Sequence, residues 1–172
     1  MNTAVLFSTG KDDWQTPPAV LAPIIREFGI NLDVAANAHT ARCEHFLGGP
    51  EYPDALAVDW SACRPFGDWP ICWCNPPYSR GLQHKFIAKA AEQRLRGVTT
   101  VMLIPARTDT KAFHAHIWDA DRHQPRPGVE VRFLKGRIKF VGAPHGAPFP
   151  SMIVIFRGSP VGPSPDVWLE TR

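Results

Sequence analysis

Four short apolar runs constrain the fold of this chain more than any other feature of the sequence. They cover residues 30–34, 55–58, 71–74 and 98–104, and none of them alternates strictly between apolar and polar side chains. Strands that are buried on both faces have this pattern, whereas a strand with one solvated face alternates. The runs therefore predict strands of a mostly parallel sheet that is covered on both sides.

Segments with apolar residues at helical spacing predict three helices, at residues 17–28, 83–96 and 110–118. Thr16 followed by Pro17 is typical of a capping residue and the first helical position. Pro23 is expected to kink or shorten the first helix, because it has no N–H to donate. Thr108 or Asp109 is expected to cap the third helix.

The rest of the chain contains three more predicted strands, at residues 129–134, 137–141 and 152–156, of which the first two could form a hairpin. Strands and helices alternate early in the chain and strands alone finish it. This order predicts an α/β fold, mostly parallel with an antiparallel C-terminal edge. In such sheets ligands bind beyond the carboxyl ends of the strands, so the loops after residues 34, 58, 74 and 104 are the expected site.

The length of 172 residues and a hydrophobic content of 44% predict one domain with a substantial core. We expect a flexible N-terminus at 1–11, a folded domain at 12–157 and a Pro/Gly-rich tail at 158–172. The sequence has neither an apolar stretch long enough to span a bilayer nor a secretory leader, so the expected location is the cytoplasm.

The positive charge is concentrated in one late segment, although the formal net charge is only +3. Between residues 122 and 140 six basic residues stand against Glu130 alone. The segment is either a phosphate-facing patch or an ordinary solvated basic face. Four cysteines include only one close pair, Cys72 and Cys74, so buried thiols are expected rather than a zinc site, and no metal is predicted.

The sequence Asn75-Pro76-Pro77-Tyr78 follows a predicted strand directly, and its prolines favour an extended backbone. The side-chain oxygen of Asn75 and the carbonyl of Pro76 could each accept a hydrogen bond from one amino group. Accepting both hydrogens of an aromatic amine such as the N6 of adenine would free its delocalised lone pair for attack. Tyr78 could stack on a base that has left its duplex. These four residues are the predicted catalytic loop.

Six sequence blocks in a fixed order resemble the phage-type, Dam-named family of DNA N6-adenine methyltransferases, within the Rossmann-like S-adenosylmethionine methyltransferases. The blocks are DWQTPPAVLAPIIREFG, LDVAAN, WCNPPYS, LIPARTDTKAFH, VRFLKGRIKF and APFPSMIVIF, and they cover most of residues 12–157. The resemblance implies a methyltransferase sandwich, S-adenosylmethionine as methyl donor and adenine in DNA as acceptor. It also implies a phage or prophage enzyme that protects DNA from restriction.

The resemblance further implies a set of cofactor-binding residues. Asp33 ends the first strand, where an acid would suit the α-ammonium group of the cofactor. The segment around it has alanines where many methyltransferases have a glycine-rich turn. Asp59 and Trp60 are candidates for binding the cofactor's adenine. The full predicted set is Trp14, Thr16, Pro17, Asp33, Ala35, Asn37, Asp59 and Trp60.

Two further segments are predicted to contact DNA. Arg107 follows the strand at 98–104 and could grip a phosphate, while Asp109 could orient it or cap the next helix. In the segment RFLKGRIKF, Arg137 and Lys139 share one face, and with Lys135 they form the preferred phosphate contact.

Two other functions stay open at this point. The same loop could act on an adenine in RNA or on the side-chain amide of a protein glutamine, although the basic segment favours nucleic acid. Alternatively, the chain could be a non-catalytic nucleic-acid-binding module. There is no room for a large target-recognition domain, so either specificity is relaxed or a dimer partner supplies it, and both monomer and homodimer remain possible.

Overall fold

The computed structural model describes residues 14–48, 53–78 and 81–158. The strands are β1 (Leu32–Asp33), β2 (His45–Phe46), β3 (Ile71–Cys74), β4 (Thr99–Pro105), β5 (Trp118–Asp119), β6 (Gln124–Pro125), β7 (Val129–Phe133) and β8 (Ser151–Phe156). The helices are α1 (Pro18–Phe28), α2 (Gln83–Leu95) and α3 (Lys111–His116). Short 3-10 turns lie at Trp60–Ala62 and Pro65–Gly67.

Six strands form one sheet in the order β2-β1-β3-β4-β8-β7, and β5 pairs with β6 in a small separate ribbon. The first four of these strands are parallel, whereas β8 is antiparallel to both β4 and β7. The predicted class is confirmed: a mixed α/β, Rossmann-like sheet with an antiparallel C-terminal edge. The parallel order brings the carboxyl ends of β1, β3 and β4 to one edge of the sheet.

Both faces of the sheet are covered, as the non-alternating apolar runs predicted. Met102 and Ile104 of β4 pack with residues of α2 and α3, while Val101 and Leu103 pack on the other side with residues of α1. All six residues of β8 are buried. Burying apolar surface stabilises a fold by about 25 cal/mol per Å². Because these central strands bury apolar side chains on both faces, they are the main source of stability.

The predicted strand at 55–58 is wrong. The carbonyl of Asp54 accepts backbone N–H groups of Ala57 and Val58, and its carboxylate accepts that of Leu56, so the segment closes into a turn. The strand that actually extends the sheet beyond β1 is β2, which sequence reasoning missed. Two residues are too short to show a period in the sequence.

The predicted strand at 137–141 is also wrong, although its predicted alternation is correct. Ile138 and Phe140 are buried, while Arg137 and Lys139 are exposed. The backbone of this segment bonds to loops, through Ala147 N to Ile138 O and Val141 N to Gln15 O, rather than to a neighbouring strand. The segment is therefore an irregular strap over the α1 face of the sheet.

The helix caps differ from those predicted. Pro17 precedes α1 without a side-chain cap, and the Thr16 hydroxyl makes no hydrogen bond within the described part of the chain. Thr110 caps α3 by accepting the N–H of Phe113, so neither Thr108 nor Asp109 does so. The α1 helix runs through Pro23 without being shortened.

Two predicted segments reach past the described residues: the flexible N-terminus at 1–11 entirely, and the tail at 158–172 except for Gly158. The longest described helix has 13 residues, and none of the described helices has the length and apolar character that a membrane span requires.

Candidate active site

The Asn75–Tyr78 segment begins where β3 ends, next to the end of β1. Asp33 of β1 lies opposite Trp73 of β3 in the parallel register, and Val34 N donates to Trp73 O over 2.9 Å. Asn75 follows two residues after Trp73. The sheet therefore brings the predicted catalytic loop and the predicted cofactor acid to neighbouring strand ends.

Two hydrogen bonds hold the side-chain amide of Asn75. Its Nδ2 donates to the backbone carbonyl of Trp14, and its Oδ1 accepts the hydroxyl proton of Tyr78 over 2.7 Å. A backbone carbonyl can only accept, so it selects the nitrogen end of the amide, and the oxygen end faces Tyr78. The orientation of the amide is thus determined by two groups from different parts of the chain.

Two acceptor positions remain open at this loop. The Asn75 Oδ1 atom has two lone pairs and uses one of them for Tyr78. Within the described ranges no hydrogen bond is made to the Pro76 carbonyl, and the prolines at 76 and 77 have no backbone N–H. One amide oxygen and one carbonyl oxygen can therefore accept the two hydrogens of an amino group.

The ring of Tyr78 is buried in the structure, with 7% of the residue exposed. Phe149 and Phe140 meet it nearly edge-on, with ring centroids at 5.4 and 6.2 Å. Burial also raises the pKa of the Tyr78 phenol, so the hydroxyl keeps its proton and remains a donor to Asn75. Its hydrogen-bonding role is therefore visible, while base stacking on its ring stays a prediction.

Asp33 is a buried carboxylate, 3% exposed, at the end of β1. Its two oxygens accept backbone N–H groups of Ala35 and Arg42, over 3.2 and 3.1 Å. Burial raises its pKa to about 6, against the lowering effect of these two hydrogen bonds. A cation that reaches a buried carboxyl with a raised pKa stabilises its charged form.

A cleft joins Asp33 to Asn75. It is lined by the predicted residues Trp14, Thr16, Asp33, Ala35, Asn75 and Pro77, and also by Gln15, Thr40, Arg42 and Trp73, which were not predicted. Six predicted residues from three separated segments thus share one cavity. Convergence of this kind is a property of the fold, because no two of the segments are adjacent in the sequence.

Arg42 is the most informative residue that sequence reasoning missed. Its guanidinium donates from Nη2 to Gln15 Oε1 over 3.0 Å, which holds a cation at the wall of the cleft. No sequence signal would have found it, because it lies in a loop nine residues after Asp33. An anionic group and a cationic group are therefore offered to a ligand in the same cleft.

Thr16 adds an unpaired polar atom to the same wall. Its hydroxyl oxygen is buried and has no hydrogen-bond partner within the described residues. A buried hydroxyl without a partner loses roughly 1 to 3 kcal/mol of free energy relative to a satisfied one. A polar ligand in the cleft would supply the missing partner.

Four predicted cofactor residues do not line this cleft. Trp60 is fully buried in the core and donates from Nε1 to Ala55 O over 2.7 Å, so its ring cannot cover a ligand in this structure. Asp59 accepts the Ser61 N–H and forms an ion pair with Arg96. Pro17 precedes α1, and Asn37 accepts the N–H groups of the turn that follows it.

The predicted DNA-contacting residues are exposed and lie on two sides of the site. Arg107 and Asp109 follow β4, and Asp109 forms no helix cap. Arg137 and Lys139 lie on the strap and Lys135 just before it, and none of the three has an ion-pair partner among the described residues. The other basic residues of the late segment differ: Arg132 pairs with Glu27 and Glu130, and Arg126 donates to His114 O.

Within residues 14–48, 53–78 and 81–158, no group of three or more His, Cys, Asp or Glu side chains is arranged to hold a metal. Cys72 and Cys74 point into the core on the α2 face, and burial raises the pKa of both thiols. Cys43 lies close enough to Asp33 that burial and that carboxylate raise its pKa to about 12.

Comparison with known families gives one match that covers most of the chain. The model of the family described as DNA N-6-adenine-methyltransferase (Dam) matches residues 4–161. No curated protein matches the chain. The matched region includes the cleft, the Asn75–Tyr78 loop, the strap and the sheet that positions them. The chain belongs to the Dam family of DNA N6-adenine methyltransferases.

Proposed function

We propose that this protein transfers a methyl group from S-adenosylmethionine to N6 of an adenine in DNA, with Asn75–Tyr78 as the catalytic loop. The observation that carries the proposal is the position of Asn75, whose amide is fixed by Trp14 and Tyr78 beside the Asp33 cleft. The family provides independent support for the acceptor.

The cleft fits the amino-acid end of S-adenosylmethionine. Asp33 would accept a hydrogen bond from the α-ammonium group, Arg42 would hold the α-carboxylate, and the Thr16 hydroxyl, which has no partner among the described residues, would bond to either. When bound, S-adenosylmethionine supplies a methyl group on a positively charged sulfur. The alanines at 35 and 36 leave less room for close backbone approach than glycines would, so we assign binding mainly to these side chains.

The catalytic loop acts by accepting hydrogen bonds. Asn75 Oδ1 and the Pro76 carbonyl each accept a hydrogen bond from the adenine amine, which makes the nitrogen lone pair available for attack. S-adenosylmethionine held by Asp33, Arg42 and Thr16 would supply the methyl group to this lone pair with loss of its C–S bond, and the surplus amine proton would leave to solvent. The amide of Asn75 and the carbonyl of Pro76 are already oriented before the reaction. They can therefore stabilise the transition state without the free-energy cost of reorganising.

The adenine must leave its duplex, or come from a single strand, for its amine to reach this loop. Lys135, just before the strap, and Arg137 and Lys139 on it are exposed and have no ion-pair partner in the described ranges, which supports phosphate contact beside the site. From the family resemblance we further propose that the protein is encoded by a phage or prophage and acts in the host cytoplasm. There it would protect DNA from restriction.

The test is transfer of a tritiated methyl group from S-adenosylmethionine to unmethylated DNA, followed by digestion to nucleosides. We expect label in N6-methyladenine with the wild-type protein, and none with Asn75→Ala. Binding of S-adenosylhomocysteine should persist in Asn75→Ala, which shows that the variant is folded. Label found in RNA or protein but not in DNA would show that the methyl acceptor is not DNA. Absence of cofactor binding would favour a non-catalytic module.

A further inference from the structure

A second concave surface lies between α2 and α3, on the sheet face opposite to α1 and the strap. It consists of two cavities of about 480 and 310 Å³, which both include Ala115 and His116 in their walls. We call this surface the α2–α3 groove. It begins beside Gly81, three residues after Tyr78, and ends beside Arg94 near the last turn of α2.

Cationic side chains lie at both ends of the α2–α3 groove. Arg107 and Lys111 stand at the end near the catalytic loop, and Arg94 and Arg126 stand at the far end. None of the described residues that line either cavity is acidic; the exposed Asp109 lies just outside the lining. The groove therefore favours an anionic ligand that is long enough to reach both ends.

The lining between these ends includes apolar residues, chiefly Ile87 and the small residues Ala88, Ala112 and Ala115. A sugar–phosphate strand has matching chemistry, because apolar sugar faces alternate with phosphates. The distance along α2 from residue 84 to residue 94 is about 15 Å at 1.5 Å per residue. That length corresponds to about four nucleotides of one strand at 3.4 Å of rise each.

Arg94 contributes a second observation. Its Nε atom is buried and has no hydrogen-bond partner within the described residues, and the residue is part of the cavity wall. An arginine donor without a partner at the wall of a groove is stabilised by an acceptor that enters there. At the same end, burial and the nearby Arg126 lower the pKa of His116, so this histidine adds a neutral donor or acceptor at pH 7 rather than a charge.

We propose that the α2–α3 groove binds the sugar–phosphate backbone of a DNA strand next to the target adenine. This inference rests on the proposed function and adds a second DNA contact, on the side of the sheet opposite to the strap. The catalytic loop lies between the two surfaces, so DNA would be held on both sides of the base that is methylated.

The test is DNA binding of the full chain, measured by fluorescence anisotropy with an unmethylated duplex at several salt concentrations and saturating S-adenosylhomocysteine. The groove variants are Lys111→Glu and Ala115→Glu, both at exposed positions of α3. The matched control is Arg26→Glu, an exposed residue of α1 with the same change of charge as Lys111→Glu. Binding of S-adenosylhomocysteine and thermal unfolding are measured for every variant.

We expect the DNA Kd to rise about tenfold for each groove variant and less than about twofold for the control. The salt dependence of log K should flatten by about 0.9 for Lys111→Glu, as expected for one lost phosphate contact. Cofactor binding should not change. Unchanged DNA affinity and salt slope in both groove variants, with an active wild type, would overturn the groove alone. A wild type that binds cofactor but neither binds nor methylates DNA would overturn the proposed function as well.

Discussion

The hydroxyl of Tyr78 donates a hydrogen bond to Oδ1 of Asn75 over 2.7 Å. Two prolines, which stiffen the backbone, separate the two residues in the sequence. The bond spans the proposed catalytic loop from its first residue to its last. Together with the Trp14 carbonyl it fixes which end of the amide faces the substrate side. The tyrosine of this loop thus has a positioning role that does not depend on stacking.

Tyr78→Phe should separate these two roles, because it keeps the ring and removes the hydroxyl. Loss of one hydrogen bond is worth about 1 kcal/mol, so we expect a fall of about fivefold in the single-turnover rate of methyl transfer. The KM for DNA should change little. A rate equal to that of the wild type at saturating DNA would show that the hydroxyl does not position Asn75.

Cofactor affinity should depend on pH through Asp33. Burial raises its pKa to about 6, so the carboxyl is protonated below that value and cannot pair with an ammonium group. We expect S-adenosylhomocysteine to bind more tightly as pH rises from 5 to 7, with a plateau above. Calorimetric titration of wild type and Asp33→Asn checks this, since the variant should bind weakly with a flat profile. A flat profile in the wild type would remove Asp33 from the site.

The same carboxyl should make the free protein less stable as pH rises. The folded-state pKa of about 6 lies above the ordinary value of 3.8, so the folded state holds more protons than the unfolded state between these values. The free energy of unfolding contributed by this group therefore falls as pH increases from about 4 to 6 and stays lower above. Urea unfolding of wild type and Asp33→Asn at pH 4.5, 5.5 and 7 would reveal a smaller dependence in the variant, whereas identical slopes would contradict the assignment.

Arg42→Gln should weaken binding of S-adenosylhomocysteine by about 10- to 100-fold, because a hydrogen bond to a charged group is worth about 1.5 to 3 kcal/mol. The control is a ligand rather than a variant: 5′-methylthioadenosine lacks the amino-acid part, so its affinity should be the same in both proteins. Equal losses for the two ligands would mean that Arg42 supports the cleft structurally and does not contact the carboxylate.

Trp60→Phe should affect stability and leave the cofactor site intact. The indole is fully buried and its N–H bonds to the Ala55 carbonyl, so the change leaves a void and an unsatisfied acceptor. We expect a loss of about 2 to 4 kcal/mol in the free energy of unfolding. Affinity for S-adenosylhomocysteine, measured well below the unfolding temperature, should match that of the wild type. A large loss of affinity would restore the role that the sequence suggested for Trp60.

The errors of sequence reasoning in this chain have a common physical cause. Apolar content and spacing record burial, but they do not record which hydrogen-bond partners the backbone will find. Residues 55–58 are apolar as predicted, yet hydrogen bonds to Asp54 close them into a turn. Residues 137–141 alternate as predicted, yet Val141 N donates to the carbonyl of Gln15 in a loop instead of pairing with a strand. The family resemblance implied that the indole of Trp60 covers the cofactor's adenine, but its ring packs into the core.

The amino-acid sequence by itself determined the class of fold, the central strands β3, β4 and β8, the place of the Asn75–Tyr78 loop after β3, and the family. These are local properties, since burial on both faces and stiff prolines leave a pattern within a few residues. Only the tertiary structure decided which side chains share the cleft. Parallel strand pairing and loop closure bring Arg42 to Asp33 and Gln15, and bring Asn75 to the Trp14 carbonyl. Contacts of this kind follow no periodicity that a sequence could display.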